Sequence, residues 1–493
     1  MKHVTATNTH YIIENYNLGD CPKLEKYASV YNEMNHCYDP LYMYNQEERV
    51  LKLPRGIYPY IIENNLDTSI DYNRVIGGRS VRIGMKLTPR NLQQKSAIRF
   101  LIGKGEYDYT NNSSQLVLSL PSGGGKTFCA VSAMSLIGLA TIVVTHNDDI
   151  KKQWKDRLLE YTDIPEKSIV LLNSSSQMNA YLTKKRGVMK QISGENVYIL
   201  THSMLRSYIK TYGGDSLQEL MVKLGIGIKI VDECHKEFYN TMAIDNIVSV
   251  YKNFYLTATF GRTDAIENTV FQRMFQSIYK LVIPEDEMGV TKNVLYVTNL
   301  INSRPSKIDL GGMFTYLNRG NKMAKFNVIK YMDYAIDKGV VIESVRTWLS
   351  KLCDLNGLIL IISPKISVNE YFCQMAREMF PDKKCAVHGS TSKVDNIEDY
   401  DIICATSKII GTGNDIDKLK AIIIVEPIGS EKNAYQIFHR LMRGNDTDKR
   451  WYIEIIDKGV PNCYNMYRRN RKKLEESALE HYVFDETARH KYK

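Results

Sequence analysis

The chain has 493 residues, more than one hydrophobic core organises, so two or three domains are expected. With 44% hydrophobic and 24% charged residues it has an ordinary globular composition, and a net charge of +10 favours a polyanionic partner. Nine Cys without a C-x-x-C pair exclude a zinc ribbon and a disulfide framework, and apolar runs as short as Ala421–Val425 and Gly357–Ile362 exclude a membrane span.

In chain order, residues 1–84 come first and are rich in Tyr and Asn. Their start, MKHVTATNTHYIIENY, has no apolar h-region, so no signal peptide is expected and an intracellular compartment with reduced thiols fits. Val50–Leu53 and Tyr58–Ile62 read as β-like stretches without a chemical motif. From about Leu87 the texture changes to short apolar strands alternating with amphipathic segments, the pattern of a parallel α/β sheet. Strands are expected at Leu116–Leu120, Thr141–Thr145, Val197–Thr201, Ile226–Val231 and Phe254–Thr257, with helices at Asp149–Tyr161 and Ser203–Tyr212. After Pro284 the pattern loosens, and Asn299–Gly312 reads as a linker. A second strand series follows at Leu358–Ile362, Cys385–His388, Asp401–Ala405, Ala421–Val425 and Trp451–Ile456. The expected order is therefore an α+β accessory domain (1–84), an α/β domain (85–285), a linker region (286–320), a second α/β domain (321–460) and a basic C-terminal segment (461–493).

The segment LSLPSGGGKTF, Leu118–Phe128, ends an apolar strand in a glycine-rich turn followed by Lys-Thr. Such glycines reach backbone angles that aim several N–H groups at one anion, and a helix starting at Lys126 adds its positive dipole end. Ser122, Gly123, Gly124, Gly125, Lys126 and Thr127 are thus the candidate phosphate cradle, with Lys126 for the β/γ-phosphates and Thr127 for Mg²⁺. Leu120 stands where the strict P-loop pattern has Gly, so the match is to the relaxed form. Downstream, GIKIVDECH (Gly227–His235) delivers Asp232 and Glu233 to the end of an apolar strand, where open α/β sheets bind ligands. Asp232 suits Mg²⁺, and Glu233 suits the attacking water.

An Asp-Glu-x-His strand end after a P-loop resembles the DExH box of superfamily 2 helicases and translocases. That resemblance covers residues 85–460 and implies two tandem RecA-like domains, ATP and Mg²⁺ as cofactors, and a nucleic-acid partner. It assigns Gln94 in LTPRNLQQKSAI to adenine, with Gln93 second. Thr145 and His146 in TIVVTHNDDIKKQW, and Thr201 and His202 in VYILTHS, become nucleic-acid contacts. His235, Thr257, Ala258 and Thr259 would couple ATP to the nucleic-acid track. In the second domain NGLILIIS and CAVHGSTS resemble further motifs of the family. Thr406 would meet phosphate, Gly413 and Asp415 would lie near the nucleotide, and QIFHRLMR (Gln436–Arg443) would supply Gln436 for coupling and Arg440 and Arg443 as arginine fingers, one helical turn apart. His439 replaces the family's usual Gly.

Within the superfamily the chain resembles the phage recombination helicase UvsW and the poxviral transcript-release helicases, which implies a cytoplasmic setting, the host cytoplasm if the protein is viral or phage. The segment His36–Tyr60 resembles the small domain before the UvsW motor, which helps bind duplex DNA. Branched DNA of replication, recombination or repair is the implied substrate; RNA is the alternative. A restriction-type motor would need a nuclease-like carboxylate and Lys cluster, which the sequence outside the motor lacks, and a non-catalytic scaffold would have lost Lys126, Asp232 and Glu233. The basic runs Lys184–Arg186 with Lys190, and Arg468–Lys473, suit either phosphate contact or a solvated face. Because all catalytic motifs begin after residue 84, the motor is expected to stand without residues 1–84.

Overall fold

The computed structural model describes residues 2–32, 36–104, 114–121, 123–183, 188–258, 260–261, 265–284, 287, 292–318, 321–389, 394, 396–407, 416, 418–442 and 448–486. The chain divides into two compact units, Met1–Met288 and Gly289–Lys493.

The first unit is built on a seven-stranded parallel sheet, in spatial order Ile169–Leu171, Val197–Thr201, Thr141–Thr145, Ile228–Val231, Lys252–Thr257, Gln115–Ser119 and Tyr279–Val282. The five central strands are buried along their whole length, which is why they are mostly apolar instead of alternating, with buried polar residues such as Lys229 and Asn253 among them. Parallel pairing sends every chain direction the same way, so the ends of Gln115–Ser119, Thr141–Thr145, Val197–Thr201 and Ile228–Val231 share one edge. Asparagine or threonine begins the helices that follow: Asn147 accepts the Ile150 N–H at 2.9 Å, and Thr201 accepts that of Met204 at 3.4 Å.

The N-terminal region is a small five-stranded mixed sheet, ordered Met43–Asn45, Val50–Pro54, His10–Glu14, His3–Ala6 and Ile70–Tyr72, with its own core around Tyr11, Leu24 and Leu53. Tyr58–Ile62 is not extended. Pro59 opens a helix, Pro59–Leu66, because proline supplies a helix-compatible φ where no N–H partner is needed. This region packs on the seven-stranded sheet through buried polar and apolar contacts. Asn8, 2% exposed, donates through its amide to the carbonyls of Val75 and Tyr251 and to Ser114 Oγ, while its Oδ1 accepts the Val75 N–H at 2.7 Å. His10 meets the Asp245 carbonyl at 2.8 Å, and Val30 and Leu41 lie in the motor's own core. The strap that follows pairs Arg79 with Gly225 and Ala140, and Val81 with Gly138, along the opposite edge of the sheet.

The second unit is also a seven-stranded parallel sheet, ordered Cys385–His388, Ile402–Ala405, Leu358–Ile362, Leu419–Ile424, Arg450–Asp457, Val294–Ile301 and Glu480–Asp485. Two parts of the sequence reading change here. The 286–320 region contains Val294–Ile301, an internal strand, and the helix Lys307–Gly312, opened by a Ser306–Asp309 capping box. The segment 461–493 supplies the helix Pro461–Ser477 and the edge strand Glu480–Asp485, so it completes this sheet. Among the described residues no helix is long and apolar enough to cross a membrane.

Asn8→Ala should lower the stability of the first unit by roughly 1–3 kcal/mol, since it strands several buried backbone groups at once. Thermal unfolding followed by circular dichroism measures this; an unchanged Tm would mean that the N-terminal sheet is only loosely attached.

Candidate functional site

The turn after Gln115–Ser119 has the backbone the phosphate reading needs. Gly123 and Gly125 have φ of +76° and +86°, and a Cβ on Gly125 would collide with the Gln94 amide. Helix Lys126–Ile137 starts directly after it. Lys126 Nζ donates to the Leu120 carbonyl at 3.2 Å and lies 4.0 Å from Glu233 Oε1, so the cation sits between the loop and the acidic strand end. Ser122 lies outside the described residues.

Gln94 is 1% exposed and holds the loop rather than standing open to a base. Its Nε2 donates to the Gly124 carbonyl at 3.2 Å, and its Oε1 accepts the Arg90 N–H at 2.9 Å. Arg90 also donates to the Gly123 carbonyl at 3.1 Å. A purine edge would have to displace both amide contacts.

Asp232 and Glu233 follow the strand Ile228–Val231, two strands from Gln115–Ser119. Asp232 is nearly buried, and burial first, then the neighbouring Glu233 charge, pushes its carboxyl up to about 6. The Trp154 indole N–H opposes that shift by donating to Asp232 Oδ2 at 2.8 Å, and the Glu233 N–H donates to Oδ1 at 3.0 Å. Glu233 has φ +48°, a left-handed conformation that costs a non-glycine residue roughly 1–3 kcal/mol. The turn brings its carboxylate toward Lys126 and His235. His235 Nδ1 lies 2.7 Å from Thr257 Oγ1 and 3.2 Å from Glu233 Oε2, so three of the residues assigned to catalysis and coupling form one contact chain. Thr259 lies outside the described residues. For a divalent ion the protein offers the Asp232 carboxylate and the Thr127 hydroxyl, the sparse hard-oxygen set that Mg²⁺ takes when phosphate and water complete its shell.

A polar pocket of about 710 Å³ opens at the same sheet edge. It is lined by Asp148, Lys151 and Lys152 of the helix Asp148–Tyr161, by Asn173, Ser174 and Ser175, and by Thr201, Ser203 and Ser207. Helices start here at Asp148, Ser175 and His202, so three positive dipole ends meet hydroxyls and a lysine, a favourable environment for phosphate. Lys151 is fixed by the Leu172 carbonyl, Asn173 and Asp148, whereas Lys152 is exposed. Thr201 lines the pocket, but Thr145 and His202 do not. Thr145 is fully buried and donates to the Leu200 carbonyl; His202 is 1% exposed, and burial holds its ring neutral by lowering its pKa to about 3. His146 is half-buried, its pKa lowered to about 4 by burial and Lys236. Thr145 and His202 thus sit beneath the pocket, not among the residues lining it. Ser174 and Ser175, which also line the pocket, carry no motif that singles them out in the sequence.

In the second unit Thr406 follows the strand Ile402–Ala405 and is half-buried. Gln436 lies on the helix Glu431–Phe438, which stops before Arg440; residues 439–442 continue as i→i+3 turns, so Arg440 is not on a helical face. His439 is 3% exposed, its ring 4.0 Å from that of Tyr435, filling space that a Gly would leave for backbone. Gly413, Asp415, Arg443 and Lys184–Arg186 lie outside the described residues, as does the Lys190 side chain.

Residues 86–262 match the family described as type III restriction enzyme, res subunit. No curated protein sequence matches the chain. Its fold is similar to that of S. cerevisiae Dbp5 bound to RNA and ADP BeF3, with 11% identity and a TM-score of 0.52 over 80% of this chain and 89% of that one. A variant of S. cerevisiae Dbp5 bound to Gle1 and IP6 gives 10% identity and a TM-score of 0.52 over 81% and 90%. The two parallel α/β sheets thus resemble a tandem pair of RecA-like domains, preceded by a small α+β region.

Proposed function

We propose that the protein is an ATP-dependent nucleic-acid helicase or translocase, acting on DNA and preferentially on branched intermediates of replication, recombination or repair. The observation that carries this reading is the shared edge of the first sheet, where the P-loop, the Asp232–Glu233 strand end and the three-helix polar pocket all open. The P-loop N–H groups and Lys126 hold the phosphates, and Mg²⁺, held by Thr127 and Asp232, would neutralise their charge. Glu233 orients a water and accepts its proton as the water oxygen bonds the γ-phosphorus and the bond to the β–γ bridging oxygen breaks, releasing ADP. Arg440 and Arg443 are the second domain's contributions to transition-state charge. The pocket receives a backbone phosphate, with Lys152 and the serine hydroxyls as its contacts.

The res-subunit match and the resemblance to UvsW favour DNA. A second reading, an RNA helicase or transcript-release ATPase, is favoured by the likeness to Dbp5, whose structure is described with RNA, and by the resemblance to the poxviral enzymes.

Glu233→Gln should bind ATP and turn it over very slowly, and Arg443→Ala should lose about 10³–10⁵ in turnover if it acts as an arginine finger. Lys126→Ala should lose nucleotide binding as well. Steady-state hydrolysis and equilibrium nucleotide binding separate these effects, and near-parental turnover of Glu233→Gln would remove its assigned role.

DNA should stimulate hydrolysis, forks and D-loops more than linear duplex. Affinity should fall with salt at a log–log slope of roughly −0.7 to −0.9 per phosphate contact, and Lys152→Glu should weaken binding and flatten that slope by about one unit. Stimulation by single-stranded RNA with none by forks would establish the RNA reading. No response to any polynucleotide would overturn both.

A further inference from the structure

The helix Asp148–Tyr161 touches both candidate sites. Its first turn borders the polar pocket through Asp148, Lys151 and Lys152. The next turn carries Trp154, 1% exposed, whose indole N–H is its single donor and is given to Asp232 Oδ2 at 2.8 Å. With Oδ1 accepting the Glu233 N–H, both oxygens of Asp232 are oriented, one by its own turn and one by this helix. Apolar residues of an ordinary core would bury such a helix equally well; a tryptophan aimed at this carboxylate does something more specific. Outer donors of this kind set the direction and affinity of a metal-binding carboxylate.

We propose that Trp154 is a positioning residue that transmits occupancy of the pocket to the Asp232 carboxylate, the trigger being a nucleic-acid phosphate drawn to Lys152 and the helix N-terminus. This rests on the proposed assignment of the pocket to nucleic acid and of Asp232 to the ATP site. The physical link is short and stiff. Asn147 caps the helix, Lys151 reaches off it to the Leu172 carbonyl and Asn173, and Ile150 and Trp154 are buried, so its first two turns are tied to the sheet at several points. Hydrogen bonds weaken steeply with length and angle, so a small displacement at the pocket alters how firmly Asp232 is held. Phosphate binding thereby tunes the ATP site from within one domain, without requiring the second.

Trp154→Phe keeps the ring and removes only the donor. In the full-length protein we expect the Mg²⁺ concentration for half-maximal hydrolysis to rise about tenfold. The ratio of rates with and without saturating single-stranded DNA should fall to near one. The affinity for fluorescein-labelled single-stranded DNA, read by anisotropy, should stay parental. A parental Mg²⁺ requirement and stimulation ratio would overturn the proposal, as would a loss of stimulation explained by a loss of binding. A parent protein that neither binds nor responds to DNA or RNA would overturn the nucleic-acid reading itself, and with it the transmission. Should Trp154→Phe fail to fold, a Trp348→Phe, Trp451→Phe protein leaves Trp154 as the single tryptophan. Its emission should shift when DNA binds, and an unchanged spectrum under saturating, anisotropy-verified binding would contradict the link.

Discussion

Parallel pairing is the constraint on which everything else in the first unit depends. Ser119 stands opposite Thr257, Val231 opposite Tyr255, and Val144 opposite Val231, so four loops carrying chemistry leave the sheet at one level. No single loop forms the site. The strand ending at Thr257 lies between the P-loop strand and the acidic strand end, and the next strands beyond the latter open into the polar pocket. A one-residue slip would invert every side chain along a strand and scatter these groups.

The edge is also where the fold carries its unfavourable terms. Glu233 is left-handed, Asp232 is a buried carboxylate whose burial opposes ionisation, and Lys126 makes its closest contact with a backbone carbonyl. Such terms persist only when the surroundings over-determine them. The opposite edge supplies that rigidity: the strap through Arg79 and Val81, and the Asn8 and His10 contacts of the N-terminal sheet, tie the strand beginnings together. Beneath the acidic turn, Lys229 and Asp245 form a buried ion pair to which Tyr255 also donates at 2.7 Å. The N-terminal region thus supports a strained site instead of hanging beside it.

Leu358–Ile362, Thr141–Thr145 and Val197–Thr201 were legible because burial on both faces keeps their interiors free of charged residues, and they fall where the pattern puts them. Val294–Ile301 was hidden because Thr298 and Asn299 interrupt its apolar run; Asn299 is buried and satisfied by Ser344 and Trp348. Tyr58–Ile62 misled because aromatic and β-branched residues favour strands, whereas Pro59 decides the local backbone. At the site, motif spacing located the P-loop and the acidic turn, but a motif does not say which way a side chain faces. Thr145 and His202 stand at strand ends yet turn inward. The Trp154–Asp232 contact joins residues 78 apart in sequence and has no local signature.

Hydrogen–deuterium exchange of the full-length protein, with a non-hydrolysable ATP analogue and with single-stranded DNA or RNA added separately, tests most directly whether one sheet edge serves both ligands. The analogue should protect residues 120–127 and 232–235. The polynucleotide should protect 148–152, 173–177 and 201–207, and the 148–157 segment should respond to both. Polynucleotide protection confined to other parts of the chain, with these segments unchanged, would contradict the account.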